Sequence, residues 1–420
     1  MNVYLIIILA ILIGNYLLDL VIELLNLRHF DPNLPSEFHG CYDAERYRSS
    51  QSYLAETTRV KLIAAGIFTP LVVAFILLGG FNTIDGGVGS LARSEVWRGL
   101  IFAGILLILA RIFDLPFSIY RTFVLEERYG FNRTTVKTFV LDILKGCFLV
   151  ALIGGPVFAL VIWFFSAAGP GGWIYCWLAV TFFQLFLLFI APVTILPLFN
   201  KFTPIEEGEL KGAIERYARR QNFKMRGIFT MDGSRRSARS NAFFTGFGRF
   251  RRIVLYDTLI RKHTTDELVA ILAHETGHYK ERHFLKNIIV SIFSTGLMFF
   301  ILSRFINNPG LFDAFQMKHI SVYASLFFFA FLYAPIDMAL SLFGNYLSRR
   351  FEYQADAFSA RTFGKPASMI DALKKLSVDN LSNLTPHPLK VFFSYTHPPV
   401  LDRIRALGRF RSELSGSFHK

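Results

Sequence analysis

The sequence predicts a mainly α-helical, polytopic membrane protein with seven transmembrane helices and a cytoplasmic domain that includes a small β element. Three observations carry this expectation. Hydrophobic residues make up 53% of the 420-residue chain and charged residues only 18%, where soluble domains carry about a quarter. Seven apolar runs come close to the roughly 20 residues that a spanning helix needs. Two long segments outside those runs, 199–283 and 346–420, are polar and dense in Lys and Arg.

The runs fall at 3–26, 61–81, 99–120, 145–168, 172–198, 284–305 and 321–345. They divide the chain into a membrane region (1–198), a first cytoplasmic segment (199–283), two further spans (284–345) and a C-terminal segment (346–420). No basic stretch precedes the first run and no small-residue cleavage site follows it, so it reads as a retained span and not as a signal peptide. Pro156, Pro192, Pro197 and Pro335 kink or end helices locally, which a bundle tolerates. Basic residues concentrate in the loops after spans 1, 3 and 5 and in the C-terminal tail, placing the N-terminus outside and both polar segments in the cytoplasm. The same asymmetry accounts for the formal net charge of +14, and no nucleic-acid partner is expected. Acids and bases inside the runs (Asp19, Glu23, Arg111, Asp114 and Asp337) are costly in lipid and are expected to form interhelical structural pairs.

The first cytoplasmic segment opens with an amphipathic helix at Glu206 to Gln221, and its best strand is Ile253–Tyr256. Thr264, followed three residues later by Glu267, makes a capping box for the next helix. Arg235, Arg236 and Arg239 read as a solvated basic face. Cys41, Cys147 and Cys176 are odd in number and far apart, so neither a disulfide framework nor a cysteine metal site is expected. Any metal must use histidine and carboxylate ligands.

The helix after the capping box contains His274-Glu275-Thr276-Gly277-His278. Histidines four residues apart share a helical face and can reach one zinc ion, with Glu275 beside them to take a proton from water. Leu268, Ala270, Ile271, Leu272 and Ala273 turn that face towards an apolar interior. A catalytic zinc needs three protein ligands and an open fourth position. Position 284 is Phe, and His283 is one residue off the spacing for a third histidine, so His283 is expected to be structural or to support a ligand. Glu352, on a helix continuing from the seventh span, is the better third ligand and makes a gluzincin-type set. Asp356 lies one turn later on the same face, where it can accept a proton from a ligating histidine.

The chain resembles the type I CAAX prenyl proteases, integral-membrane zinc metalloproteases of peptidase family M48. The resemblance rests on the stretches 123–132, 196–204 and 240–246, on the pentad, on 351–356 and on His397-Pro398. It implies one zinc per chain held by His274, His278 and Glu352, with Glu275 as general base. It implies that Asn241, Ala242 and Phe243 belong to an edge strand that pairs with the substrate. His397 would steady the oxyanion, and Arg403 would lie near the substrate's C-terminal side. Asp402 stands where the family often has Glu. The implied fold is a helical barrel around a large water-filled chamber. The implied activity is endopeptidase cleavage near the C-terminus of prenylated CAAX-type proteins, with membrane lipids as the other partners. The same chemistry on unprenylated or damaged membrane proteins stays open, as does a bacterial plasma membrane or an endoplasmic reticulum location. A transporter or channel with a non-catalytic metal site is a more remote alternative.

Overall fold

The computed structural model describes residues 2–245 and 252–416. Among them, six helical stretches are long and apolar enough to cross a membrane: Val3–Arg28, Ala44–Leu77, Glu95–Arg128, Val136–Phe199, His283–Leu302 and Val322–Phe363. The expected runs all lie within or overlap these stretches. The expected fourth and fifth both fall in Val136–Phe199, whose 64 residues would reach about 96 Å if straight, some three membrane thicknesses. It is not straight. Gly169 takes φ 55° at the end of the helix Gly155–Ala168, a short turn of Gly169–Gly172 follows, and Trp173–Thr194 packs back against the preceding helix.

Helix ends depart from the expected runs because polar helix continues into water. Ala44–Leu77 starts well before residue 61, capped by Asp43, whose carboxylate accepts from the Arg46 amide at 2.6 Å. Its polar first turns bury Tyr47, Ser50 and Tyr53. Val322–Phe363 runs through both the last apolar run and Glu352 as one 42-residue helix, as the sequence suggested. Between 6 and 17% of each apolar window is buried, so neighbouring helices meet along narrow strips and leave most of each surface open. An open apolar pocket of about 590 Å³ lies between the helices, lined by Phe158, Phe183, Phe299 and Phe329, with Asp337 at its wall.

The intramembrane charges only partly follow expectation. Lys61 of the second helix reaches Glu23 at 2.8 Å and Asp19 at 3.4 Å, an interhelical pair as expected. Arg111 and Asp114 instead pair within one helix at 2.8 Å, both about half exposed. A spacing of three residues puts them side by side on one face, so each satisfies the other without a partner helix.

Four strands form one sheet: β1 (Phe202–Pro204), β2 (Gly227–Met231), β3 (Ala242–Thr245) and β4 (Arg252–Tyr256). Their order is β1-β2-β4-β3. β2 and β4 run parallel, and the two outer strands pair antiparallel to them. Ile253, Val254 and Leu255 of β4 are all buried, as in a central strand covered on both faces, and β3 is left as an edge.

The helix Thr265–Lys280 begins with the expected capping box: Thr264 accepts from the Glu267 amide and Glu267 accepts from the Thr264 amide. It is covered by Glu209–Arg220, by Pro366–Asp379 and by the long helix Val322–Phe363. Ser359 of the long helix donates to the Ala270 carbonyl at 2.9 Å across that contact. Gly277 lets the two backbones approach: a Cβ there would lie 3.0 Å from the Ala355 Cα and 3.2 Å from the Ala355 carbonyl oxygen.

Candidate active site

The close crossing of these two helices brings together residues more than seventy positions apart. His274 and His278 project from one helix and Glu352 from the other. One ligand atom from each lies within 4.8 Å of the others. The two imidazole Nε2 atoms are 3.1 Å apart. His278 Nε2 lies 3.2 Å from Glu352 Oε1, and His274 Nε2 lies 3.5 Å from Glu352 Oε2. Four ligands around a zinc ion at about 2.0–2.1 Å would sit roughly 3.3 Å from one another. The observed separations bracket that value. Glu352 Oε2 is also buried without a hydrogen-bond partner, and the cation nearest it is the Arg403 guanidinium at 3.1 Å, which leaves room for a metal to satisfy it. Two neutral nitrogens and a carboxylate suit a divalent metal ion.

A second layer fixes these side chains. His274 donates from Nδ1 to Asp356 Oδ1 at 2.8 Å, which leaves Nε2 facing Glu352 and His278. Burial works against a proton on His274, but hydrogen bonds to Asp356 and Glu352 outweigh it and push its pKa up to about 9. The surrounding carboxylates thus favour positive charge at this spot. A metal would take the place of that proton.

Arg403 lies behind the ligands, 8% exposed. It donates from Nε and Nη2 to both oxygens of Asp356 at 2.8 and 2.7 Å, and its Nη1 is 3.1 Å from Glu352 Oε2. The resemblance suggested a position near the substrate; the guanidinium here is engaged with Asp356 and Glu352. His283 is buried, stacks on Phe351 at 4.2 Å and contacts Gln354 Oε1 at 2.8 Å. Its Nδ1 lies 3.0 Å from His278 Nδ1, beside the residue it was expected to support.

Glu275, half-buried, flanks the histidine face and lines a small pocket with Ala242 and Phe243 of β3 and Ile271 and Leu272. Burial pushes its carboxyl above the usual carboxylate range, with the His274 and His278 imidazoles opposing. Asn241 precedes β3, and its carbonyl accepts from the Tyr256 amide at 3.1 Å. His397 reaches in from the loop after the helix Pro388–Ser394, with its Nε2 3.3 Å from Glu352 Oε1. That loop is held by Arg349, whose Nη1 donates to the Val391 and Tyr395 carbonyls at 3.1 and 2.7 Å.

The structure therefore brings His274, His278, Glu352, Asp356, Arg403 and His397 into one cluster, with Glu275 and β3 beside it. Sequence reasoning missed Gly277, Gln354 and Arg349. The signal for Gly277 was present, because glycine inside a helix is disfavoured by about 1 kcal/mol and needs a packing reason. Nothing local marked Gln354 or Arg349.

Two family models match the chain. One, described as CAAX prenyl protease N-terminal, five membrane helices, matches residues 23–201. The other, peptidase family M48, matches residues 204–410. The chain is 35% identical over 384 residues to the CAAX prenyl protease 1 homolog of Arabidopsis thaliana, covering 90% of each. It is 32% identical over 422 residues to the CAAX prenyl protease 1 homolog of Homo sapiens, covering 89% of this chain and 88% of that one. The crystal structure of S. mikatae Ste24p superposes with a TM-score of 0.91 at 32% identity, covering 96% of this chain and 99% of that one.

Proposed function

The chain belongs to the CAAX prenyl protease family of M48 metalloendopeptidases, and from that premise we propose that it is a zinc endopeptidase cutting near the C-terminus of prenylated CAAX-type proteins. The observation that carries this reading is the triangle of His274 Nε2, His278 Nε2 and Glu352, with His274 and Glu352 buried and all three spaced as zinc ligands would be. Zinc held there would lower the pKa of a coordinated water from about 15.7 towards 7 and polarise the scissile carbonyl.

The chain's own groups do the rest. An extended substrate adds to the edge of β3 through main-chain hydrogen bonds, with Asn241, Ala242 and Phe243 as its neighbours. That places its carbonyl beside Glu275. The Glu275 carboxylate accepts the proton of the attacking water and returns it to the leaving amine; its raised proton affinity suits both transfers. His397, exposed and adjacent to Glu352, donates to the oxyanion that develops. Arg403 and Asp356 orient His274 and offset the charge of Glu352.

We read the membrane region as seven spans, because Val136–Phe199 doubles back at Gly169 and the matched N-terminal family model has five membrane helices. The sparse burial of the apolar windows supports helices ringed around a chamber, and the basic loops favour a site on the cytoplasmic face. The test is a cleavage assay on purified protein with farnesylated and unmodified peptides, with and without a chelator. Glu275→Gln should keep one zinc per chain and lose activity by about 10²–10⁴-fold, the range of a general base. Full activity in that variant would sink the mechanism. Equal cleavage of the two peptides would move the substrate to unprenylated membrane proteins.

A further inference from the structure

The stretch 123–132 stands out in the sequence, yet no residue in it takes part in the chemistry above. It ends the third membrane helix in a tight loop, in which the Glu126 carbonyl accepts from the amides of Phe131 and Asn132 at 2.8 and 3.1 Å. The loop then clasps the segment leading into β3. The Phe131 carbonyl accepts from the Ala238 amide at 3.0 Å, and the Arg133 amide donates to the Arg236 carbonyl at 3.0 Å. Asn132 and Ser237 form an isolated antiparallel bridge. The Arg236 side chain donates to both oxygens of Asp142, at 2.7 and 2.9 Å, and to Asn200 Oδ1 at 3.0 Å.

Arg239 completes the clasp. Its Nη2 donates to Glu126 Oε1 and Oε2 at 2.9 and 3.2 Å and to the Tyr53 hydroxyl. Tyr53 in turn donates to Glu126 Oε1 at 2.6 Å. The guanidinium lies 4.4 Å from the Phe131 ring centroid, a cation–π contact. The Arg239 carbonyl accepts from Thr258 Oγ1 at 2.7 Å, and Asn380 pairs with both the amide and the carbonyl of Ser240 at 3.3 Å. β3 starts at Ala242, two residues later, beside Glu275. Arg236 and Arg239 are therefore not the solvated basic face the sequence suggested. Their partners Tyr53, Glu126, Asp142 and Asn200 come from or beside membrane helices, between 36 and 186 residues earlier.

We propose that Glu126 and Arg239 are positioning residues: their ion pair ties the cytoplasmic ends of the second and third membrane helices to the strand that receives substrate. It holds the backbone of β3 in place as the edge with which the substrate pairs. An edge strand exchanges water for substrate along its free side, so small shifts of its backbone weaken every hydrogen bond made there. Lysine keeps the charge but not both the Nη2 contacts and the guanidinium's ring contact. This inference rests on β3 as the substrate edge.

The test uses full-length protein in detergent, carrying Arg239→Ala, Arg239→Lys or Glu126→Gln. Three quantities are read: KM and kcat for a farnesylated peptide, zinc per chain, and binding of the same labelled peptide by anisotropy in the Glu275→Gln background. Arg239→Ala and Glu126→Gln should raise KM and Kd about tenfold, the loss of one or two charge-assisted hydrogen bonds. Their kcat should stay within about twofold and their zinc content at one per chain, the pattern of lost uniform binding. Arg239→Lys should recover part of the loss. Unchanged KM and Kd in all three variants would overturn the positioning pair and leave the protease reading intact. So would loss of zinc in step with loss of activity, which would mean general structural damage. No cleavage and no peptide binding by the unsubstituted parent would overturn both readings together.

Discussion

Gly277→Ala is a single added methyl group at the contact that builds the site. The new Cβ would sit 3.0 Å from the Ala355 Cα, 3.0 Å from the Phe358 Cβ and 3.2 Å from the Ala355 carbonyl oxygen. Ordinary carbon contacts lie at about 3.5–4.0 Å, and two of the three atoms are backbone that no rotamer change can move. The helices must part by roughly 0.5–1 Å. Two effects then oppose each other in overall stability. Alanine is the better helix former by about 1 kcal/mol, whereas overpacking costs about 1–3 kcal/mol, so the thermal midpoint should fall only slightly. Metal affinity has no such compensation. His278 is the next residue on one helix, Glu352 lies three residues before Ala355 on the other, and ligand distances tolerate only about ±0.2 Å. Zinc affinity should fall at least about tenfold, as for a disturbed supporting group, when measured by competition with a chromogenic chelator. Gly408→Ala is the control, since nothing lies within 4 Å of a Cβ there. Unchanged zinc affinity in Gly277→Ala, with a raised midpoint, would refute the claim that this close approach sets the ligand spacing.

Asp356→Asn keeps the shape of the side chain but removes the charge that holds His274 and Arg403. Zinc affinity should drop about 10–100-fold, and a variant with parental affinity in the chelator assay would show that Asp356 does not orient the ligand. His263 is 8% exposed, and burial holds it below the ordinary histidine range despite Glu267 and Asp379 nearby. The unfolded chain therefore binds the extra proton, so stability should be full above about pH 6.5 and decline as pH falls below it. Thermal unfolding between pH 7.5 and 5 checks this, and a His263→Gln protein with the same acid-side slope would exclude His263 as the source.

Much of the site was legible because helical periodicity is local. His274 and His278 share a face by spacing alone, and the capping box at Thr264 sets where that helix starts. The need for a third ligand then singled out Glu352. Membrane spans were legible for the same reason, as runs of apolar residues. Their ends were not, since the first turns of Ala44–Leu77 are polar and bury Tyr53 against Leu125, Phe131 and Leu381, residues far away in the chain. Arg239 shows the same limit. Its basic neighbours suggest water, while Glu126, its actual partner, lies 113 positions earlier.

Charge balance explains why the proposed ligand set could be read locally while the surroundings of Arg403 could not. Glu352 and Asp356 are buried and Glu275 is half-buried, which places three carboxylates in one region. Arg403 supplies one permanent positive charge and contacts two of them. That leaves an excess of about two negative charges, and buried charge without compensation costs several kcal/mol per ion. The raised pKa of His274 is the same excess seen from the imidazole. A divalent cation closes the balance while leaving both histidines neutral, as ligation requires. Replacing Arg403 would deepen the excess to three, so the arginine and the metal are two parts of one electrostatic solution. No pattern in the sequence around position 403 could reveal that, because the charges it answers are carried by two other helices.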